Sequence, residues 1–343
     1  MKVSPYLAML ACGINFYAAA ATVELYIWEE YLAPEVIEAF TEESGHTVHQ
    51  TYFNDEDVRD GVITSGRAKA YDLIMINGAS LRQLASHNYL KSLATTTANY
   101  QGHYDQRWLE LCSTHGLPYS WGTLGIVYRE SVSATPITSW RQLFEPPPEH
   151  SGHIAMYMDT IDTVGSALLA LQQDPLTGDQ QALKQAYELL IAQRTHVKAY
   201  QYGYDYTLQH KQDSDITMSL GYSDDQYVMA EATGQQDWVY TVPKEGTLLW
   251  AECLAAPAEK PLSEATIAFL EFISRPDIAA LNAESLWFST PNKAALALTS
   301  AEYQQDTNLF PAAALMKNSR TYRSLEPDAM NTRSRIMAFL ENQ

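Results

Sequence analysis

The stretch LYIWEEYLAPEVIEAF, Leu25 to Phe40, begins as a strand and ends as a helix. Its first residues continue the apolar run TVELYIW, and APEVIEAFTEESG then takes a helical period. Pro34 suits the first helical turn, Val36, Ile37 and Phe40 share one face, and Gly45 ends the helix. Between strand and helix lies WEEY, Trp28 to Tyr31, two carboxylates flanked by two rings. The alternation continues outward. HTVHQTYF reads as a strand and DEDVRDGVITSG as a short helix; YDLIMI reads as a buried strand and SLRQLASHNYL as the helix after it. This β-α-β-α-β order predicts a parallel sheet with crossover helices. Ligands of such sheets lie beyond the carboxyl ends of the strands, so the loops at 28–31 and 77–80 are expected on one edge.

The chain has 343 residues, 46% of them apolar, enough for two domains that each bury a core. A second unit begins after TLGIVYRE. It holds a Trp-anchored helix and proline run in SWRQLFEPPPEHSGHIAMYM, helices in TVGSALLALQQ and QQALKQAYELLIAQR, and strands in SDITMSLGY and DWVYTVPKEG. SEATIAFLEFISRPDIAALNAES then reads as two helices broken at Pro276. A middle unit flanked by pieces of the first predicts two lobes with more than one crossing.

Residues 1–21 read as a secretory signal: Lys2, an apolar segment, and small residues from Ala18 to Ala21 directly before a strand. A buried N-terminal helix is the alternative. No later run of eighteen apolar residues predicts a membrane span. Removing the leader takes one lysine and no acid, leaving 41 acidic residues against 21 basic ones. Such a field repels nucleic acid and anionic lipid and attracts cations; it also serves plain solubility. Cys112 and Cys253 remain, either as a disulfide or as two buried thiols.

No catalytic residue, cofactor motif or metal site stands out. GYSDD, Gly221 to Asp225, lacks the last glycine of a nucleophile elbow. His46-x-x-His49 and His150-x-x-His153 have no third ligand at metal spacing. Phosphate-binding glycine loops are absent. What remains is four aromatic–acid clusters at predicted strand ends: WEEY, YMDTIDT, GYSDD and LLWAEC. Each alone fits a core ring beside surface acids. Together, at the expected ligand edge, they suit an ammonium, because ring faces and carboxylates both stabilise a desolvated cation.

From LYIWEEYLAPEVIEAFTEESG through AYDLIMI, LPYSWGTLGIVY, ITSWRQLFEP, YTVPKEGTLLWAECLAAP, FISRPDIAALNAES and STPNKAAL, the chain resembles the periplasmic spermidine/putrescine-binding proteins of bacterial ABC importers. The order and spacing of these segments carry the resemblance. It implies a two-lobed α/β periplasmic binding protein of type II, each lobe a mixed sheet flanked by helices, with the ligand trapped in the cleft between them. The segments implied are 22–127 and 251–298 for lobe one, and 128–250 and 299–343 for lobe two.

The resemblance also implies site residues. Trp28 and Tyr31 match rings that line the polyamine, Asp159 and Asp162 match acids that meet ammonium groups, and Trp250 matches a ring along the methylene chain. Glu252 falls where an Asp is usual, Tyr222 where a Trp is usual, Phe288 where a Tyr is common, and Asn77 in place of a Ser. Asp225 matches an acid of some putrescine-type members. Ala79 replaces an aromatic residue and Glu29 a small hydroxylic one, changes that a bigger or more highly charged amine would use.

The expected function is therefore polyamine binding in the periplasm by a monomer that serves an ABC permease. A polyamine-sensing subunit that reports to a membrane signalling receptor is the alternative. No enzyme activity and no nucleic-acid partner are expected.

Overall fold

The computed structural model describes residues 20–211 and 215–341; residues 1–19 of the expected leader lie outside the described residues. β1 (Thr22–Ile27) is buried over most of its length, as suits a strand covered on both faces. It pairs in parallel with β2 (Thr47–Tyr52) and β3 (Leu73–Asn77). α1 (Pro34–Ser44) joins β1 to β2, α2 (Glu56–Thr64) leads towards β3, and α3 (Gly78–Ser86) follows it. The crossover order read from the sequence is the one the chain adopts.

Local chemistry explains the helix ends. Pro34 opens α1 without losing a needed N–H. Gly45 closes it at φ 71°, donating its N–H to the Thr41 carbonyl at 2.9 Å. Glycine takes this left-handed conformation without a Cβ penalty. Phe40 is fully buried, with ring centroids 5.2 Å from Phe269 and 5.3 Å from Phe272. Val36 is buried beside it, whereas Ile37 is half-buried and turns towards the cleft described below.

Two strands carry the chain between the lobes. Gly116–Thr123 of β4 (Gly116–Arg129) pair antiparallel with β9 (Leu248–Ala255), which pairs antiparallel with β3. Beyond Thr123, β4 changes partners. Leu124–Tyr128 pair with β7 (Met218–Tyr222), and Ile126–Arg129 with β8 (Trp238–Thr241). With β5 (Ile154–Ala155) and β6 (Val197–Ala199), the strand order is β2-β1-β3-β9-β4-β7-β5-β6; β10 (Arg320–Thr321) pairs with the start of β9.

Separate cores lie on either side of this crossing. Leu25, Ile74 and Phe269 belong to the first, and Leu124, Trp140 and Leu168 to the second. The segment after 298, expected wholly with the second lobe, divides between them. Tyr303 and Leu309 pack in the first core, while Ile336, Met337 and Leu340 pack in the second. The two cysteines form a disulfide from the end of α4 (Gln106–Cys112) to β9, with Cα atoms 5.7 Å apart across 141 residues of sequence. No helix among the described residues is long and apolar enough to cross a membrane.

Candidate functional site

A cleft of about 2280 Å³ opens between the lobes at the carboxyl ends of β1 and β3. Trp28, Glu29, Tyr31, Asn77, Asp159, Asp162, Tyr222, Asp225, Trp250, Glu252 and Phe288 all line it, so the structure brings every singled-out residue together. Among the described residues its lining holds thirteen carboxylates, thirteen aromatic rings and no lysine, arginine or histidine. The cleft is larger than the roughly 300–1,000 Å³ of most small-molecule pockets.

The first wall grows from the carboxyl ends of β1 and β3 and from the middle of β9. Trp28 packs on Phe53 at a centroid distance of 4.3 Å, and Tyr31 stacks with Phe288 at 6.0 Å and 11°. The Tyr119 hydroxyl donates to the Tyr31 carbonyl at 2.5 Å and holds the turn. Glu252 pairs across strands with Asn77. It is only 6% exposed, and its Oε2 has no partner. Burial, then the nearby Glu56 carboxylate, pushes its carboxyl up to about 8.

Asn77 reaches the cleft with both polar atoms engaged. Its Oδ1 caps α3, accepting from the N–H of Ala79 at 3.0 Å and Ser80 at 2.9 Å. Its Nδ2 donates to Glu56 Oε2 at 2.5 Å. Glu29 lies exposed on the rim beside Glu30, whose φ of 61° turns the chain towards α1.

The second wall is built of aspartates held by tyrosines. Asp162 is 2% exposed and accepts from the hydroxyls of Tyr222 and Tyr322. Burial and the adjacent Asp159 push it up to about 8. Asp159 itself accepts from the N–H of Ile161 at 2.6 Å and Asp162 at 2.7 Å, and burial raises its carboxyl. Asp225 accepts the Tyr222 N–H at 2.7 Å and the Tyr202 hydroxyl. Burial and Asp224 push it up to about 8. Behind Asp159, the buried Arg333 guanidinium donates to the carbonyls of Pro175 at 2.6 Å and Thr177 at 3.2 Å.

Close backbone approach sets two of these groups. A Cβ at Gly221 would fall 2.4 Å from Asp225 Oδ2, so glycine lets that carboxylate reach the Tyr222 N–H. A Cβ at Gly122 would fall 2.3 Å from Trp250 Cζ2, so glycine lets the indole lie across β4. The Trp250 ring stands at 88° to Tyr222, centroids 6.4 Å apart, and its Nε1 is unpartnered.

Sequence reading missed Glu56, Tyr202 and Tyr322. Glu56 follows the carboxyl end of β2, the predicted ligand edge, within the acid-rich NDEDVRD. Tyr202 lies in YQYGYDY, an aromatic–acid cluster of the kind already recognised. Tyr322 has no such signal; β10 brings it to Asp162 by pairing with β9.

Comparison with known proteins bears on this geometry. The chain is 30% identical over 335 residues to the norspermidine sensor of Vibrio cholerae, covering 98% of this chain and 93% of the relative. It is 27% identical over 321 residues to the spermidine/putrescine-binding periplasmic protein of Escherichia coli, covering 91% and 90%. Among solved structures, the spermidine/putrescine ABC transporter substrate-binding protein of Streptococcus pneumoniae superposes with a TM-score of 0.84 at 23% identity, covering 94% of this chain and 99% of that one. That likeness shows the two-lobed fold. Residues 35–311 match the bacterial extracellular solute-binding protein family. With its carboxylate-lined cleft between two lobes, the chain belongs to that family.

Proposed function

We propose that the cleft binds a linear polyamine in the periplasm, after a leader within residues 1–21 has been removed, and that the closed protein passes it to an ABC permease. The observation that carries this is the lining: among the described residues, thirteen carboxylates, thirteen rings and no basic side chain. An ammonium gains roughly 1.5–3 kcal/mol from each charge-assisted hydrogen bond and about 2 kcal/mol over a desolvated ring face. The methylenes between ammonium groups are covered by the same rings.

The proposed cycle follows from the two walls. Empty, nothing bridges the two walls and the lobes stand apart. A polyamine bridges Glu252 and Trp28 on one wall to Asp159, Asp162 and Asp225 on the other, and only the closed state makes both sets of contacts. The chain bends where β4 changes partners and where β9 runs beside it. No bond is made or broken, and a monomer suffices. No nucleic-acid partner fits so acidic a protein.

Occupancy sensing by a membrane signalling receptor is the second reading, favoured by the 98% coverage of this chain in its match to the norspermidine sensor. The test of binding is calorimetry with putrescine, cadaverine, spermidine, norspermidine and spermine. At least one should bind in the micromolar range or tighter, and binding by none of the five overturns the polyamine reading. Uptake of labelled amine by cells with and without the gene then separates transport from sensing.

A further inference from the structure

Arg59, on α2, is fully buried directly behind the first wall. Its Nε donates to Asp60 Oδ1 at 2.9 Å and its Nη1 to Glu56 Oε1 at 3.4 Å, while its buried Nη2 has no hydrogen-bond partner. The guanidinium sits over the Phe53 ring at 5.4 Å, and Phe53 in turn supports Trp28. Glu56 is drawn from both sides, by Arg59 on Oε1 and by Asn77 Nδ2 on Oε2. Asn77 pairs across strands with Glu252, whose buried Oε2 has no partner. The guanidinium also lies within electrostatic range of Glu252.

Behind the second wall the buried Arg333 is placed differently: it donates to backbone carbonyls and acts on Asp159 only through space, with no ion pair to a carboxylate of that wall among the described residues. The first wall therefore already holds a cation. Together Glu56, Asp60 and Glu252 can carry three negative charges, and Arg59 offsets one of them.

We propose that Arg59 is a specificity-determining positioning residue, a resident cation that pairs with Asp60 and Glu56 and so limits how many ammonium groups the first wall accepts. This rests on the polyamine reading. A ligand ammonium can approach Glu252, whose oxygen is free, while Glu56 is held by Arg59 and Asn77. Amines with one charge too many for this arrangement feel the charge of the buried guanidinium instead of finding a free carboxylate. At separations of several ångströms and an effective dielectric near 20, one unit of charge is enough to reorder a series of amines.

The test is the ratio of the Kd for spermidine to the Kd for spermine, measured by calorimetry. Arg59→Met should raise this ratio at least about tenfold, because the wall then carries one more uncompensated negative charge. Arg59→Lys keeps the charge and should leave the ratio within about threefold of the parent. Glu56→Gln added to Arg59→Met should bring it back, since net charge is restored. Circular dichroism checks that each variant is folded. If Arg59→Met does not fold, Glu56→Gln alone carries the test and should lower the ratio.

A folded Arg59→Met that binds both amines with an unchanged ratio, or weakens both equally, overturns the proposal while leaving polyamine binding intact. An unchanged ratio in Glu56→Gln, where that variant carries the test, overturns it too. A parent protein that binds neither amine nor any other of the panel overturns both.

Discussion

On the first wall, Glu252 and Glu56 lie before a buried guanidinium; on the second, Asp162 and Asp225 are held by tyrosine hydroxyls and backbone N–H groups. Both arrangements hold carboxylates in place through protein groups. They differ in what they leave for a ligand. A guanidinium satisfies charge as well as hydrogen bonding. A neutral hydroxyl satisfies only hydrogen bonding, so Asp162 and Asp225, once ionised, have no cation in contact among the described residues. The lobes also differ in how they are tied. The Cys112–Cys253 disulfide links α4 to β9 on the first side, and the second lobe has no disulfide among the described residues.

Reduction of that disulfide should give the largest effect. A bond closing 141 residues restricts the unfolded chain, and its loss should cost about 2–5 kcal/mol of stability. Thermal unfolding with and without reductant checks this. If the lobes are stabilised independently, near-ultraviolet signals from the stacked pair Trp108, on the disulfide-bearing α4, and Trp121, on β4 beside β9, should melt first.

Asp162→Asn should weaken amine binding by about 30–100-fold, because the group most dependent on a ligand cation loses its charge. Glu252→Gln, before its guanidinium, should weaken it less, by about tenfold. Calorimetry that finds the two equal breaks the contrast between the walls.

The pH response sharpens it. Asp162, Asp225 and Glu252 are pushed up to about 8 by burial and by like charges nearby. In the empty protein they therefore hold protons at pH 6–7, and an ammonium must displace them. Affinity should rise between pH 6 and 8 and level off above, with protons released on binding and seen as buffer-dependent calorimetric heat. Stability of the empty protein should move the other way. The native state binds more protons than the unfolded chain between about pH 4 and 8, so stability should fall as pH rises through that window. A melting temperature flat across it would place these carboxylates in water.

Glu29→Ser should have the smallest effect, less than about fivefold on affinity, since an exposed rim charge interacts through solvent. The sequence marked Glu29 as the unusual residue of WEEY, but it lies exposed, whereas Glu252 and Asp162 are buried in the cleft wall.

Much of this was legible in the chain itself. Pro34 and Gly45 bound α1 because helix ends follow local φ preferences and missing N–H groups. The β-α-β-α-β order followed from apolar periodicity, and with it the edge where WEEY and Asn77 meet. WEEY, YMDTIDT, GYSDD and LLWAEC carried the cleft's chemistry because each lies within a few residues of a strand end. What periodicity does not encode is which strands pair across long separations. That β4 serves both sheets, that Cys112 meets Cys253, that Tyr322 arrives at Asp162 and that Arg59 is buried behind Glu56 depend on contacts between distant segments. The local sequence determined the elements and their chemistry, because backbone propensity and polarity act over a few residues. The tertiary structure decided which carboxylates face a cation and which face a hydroxyl, because burial and charge act through space.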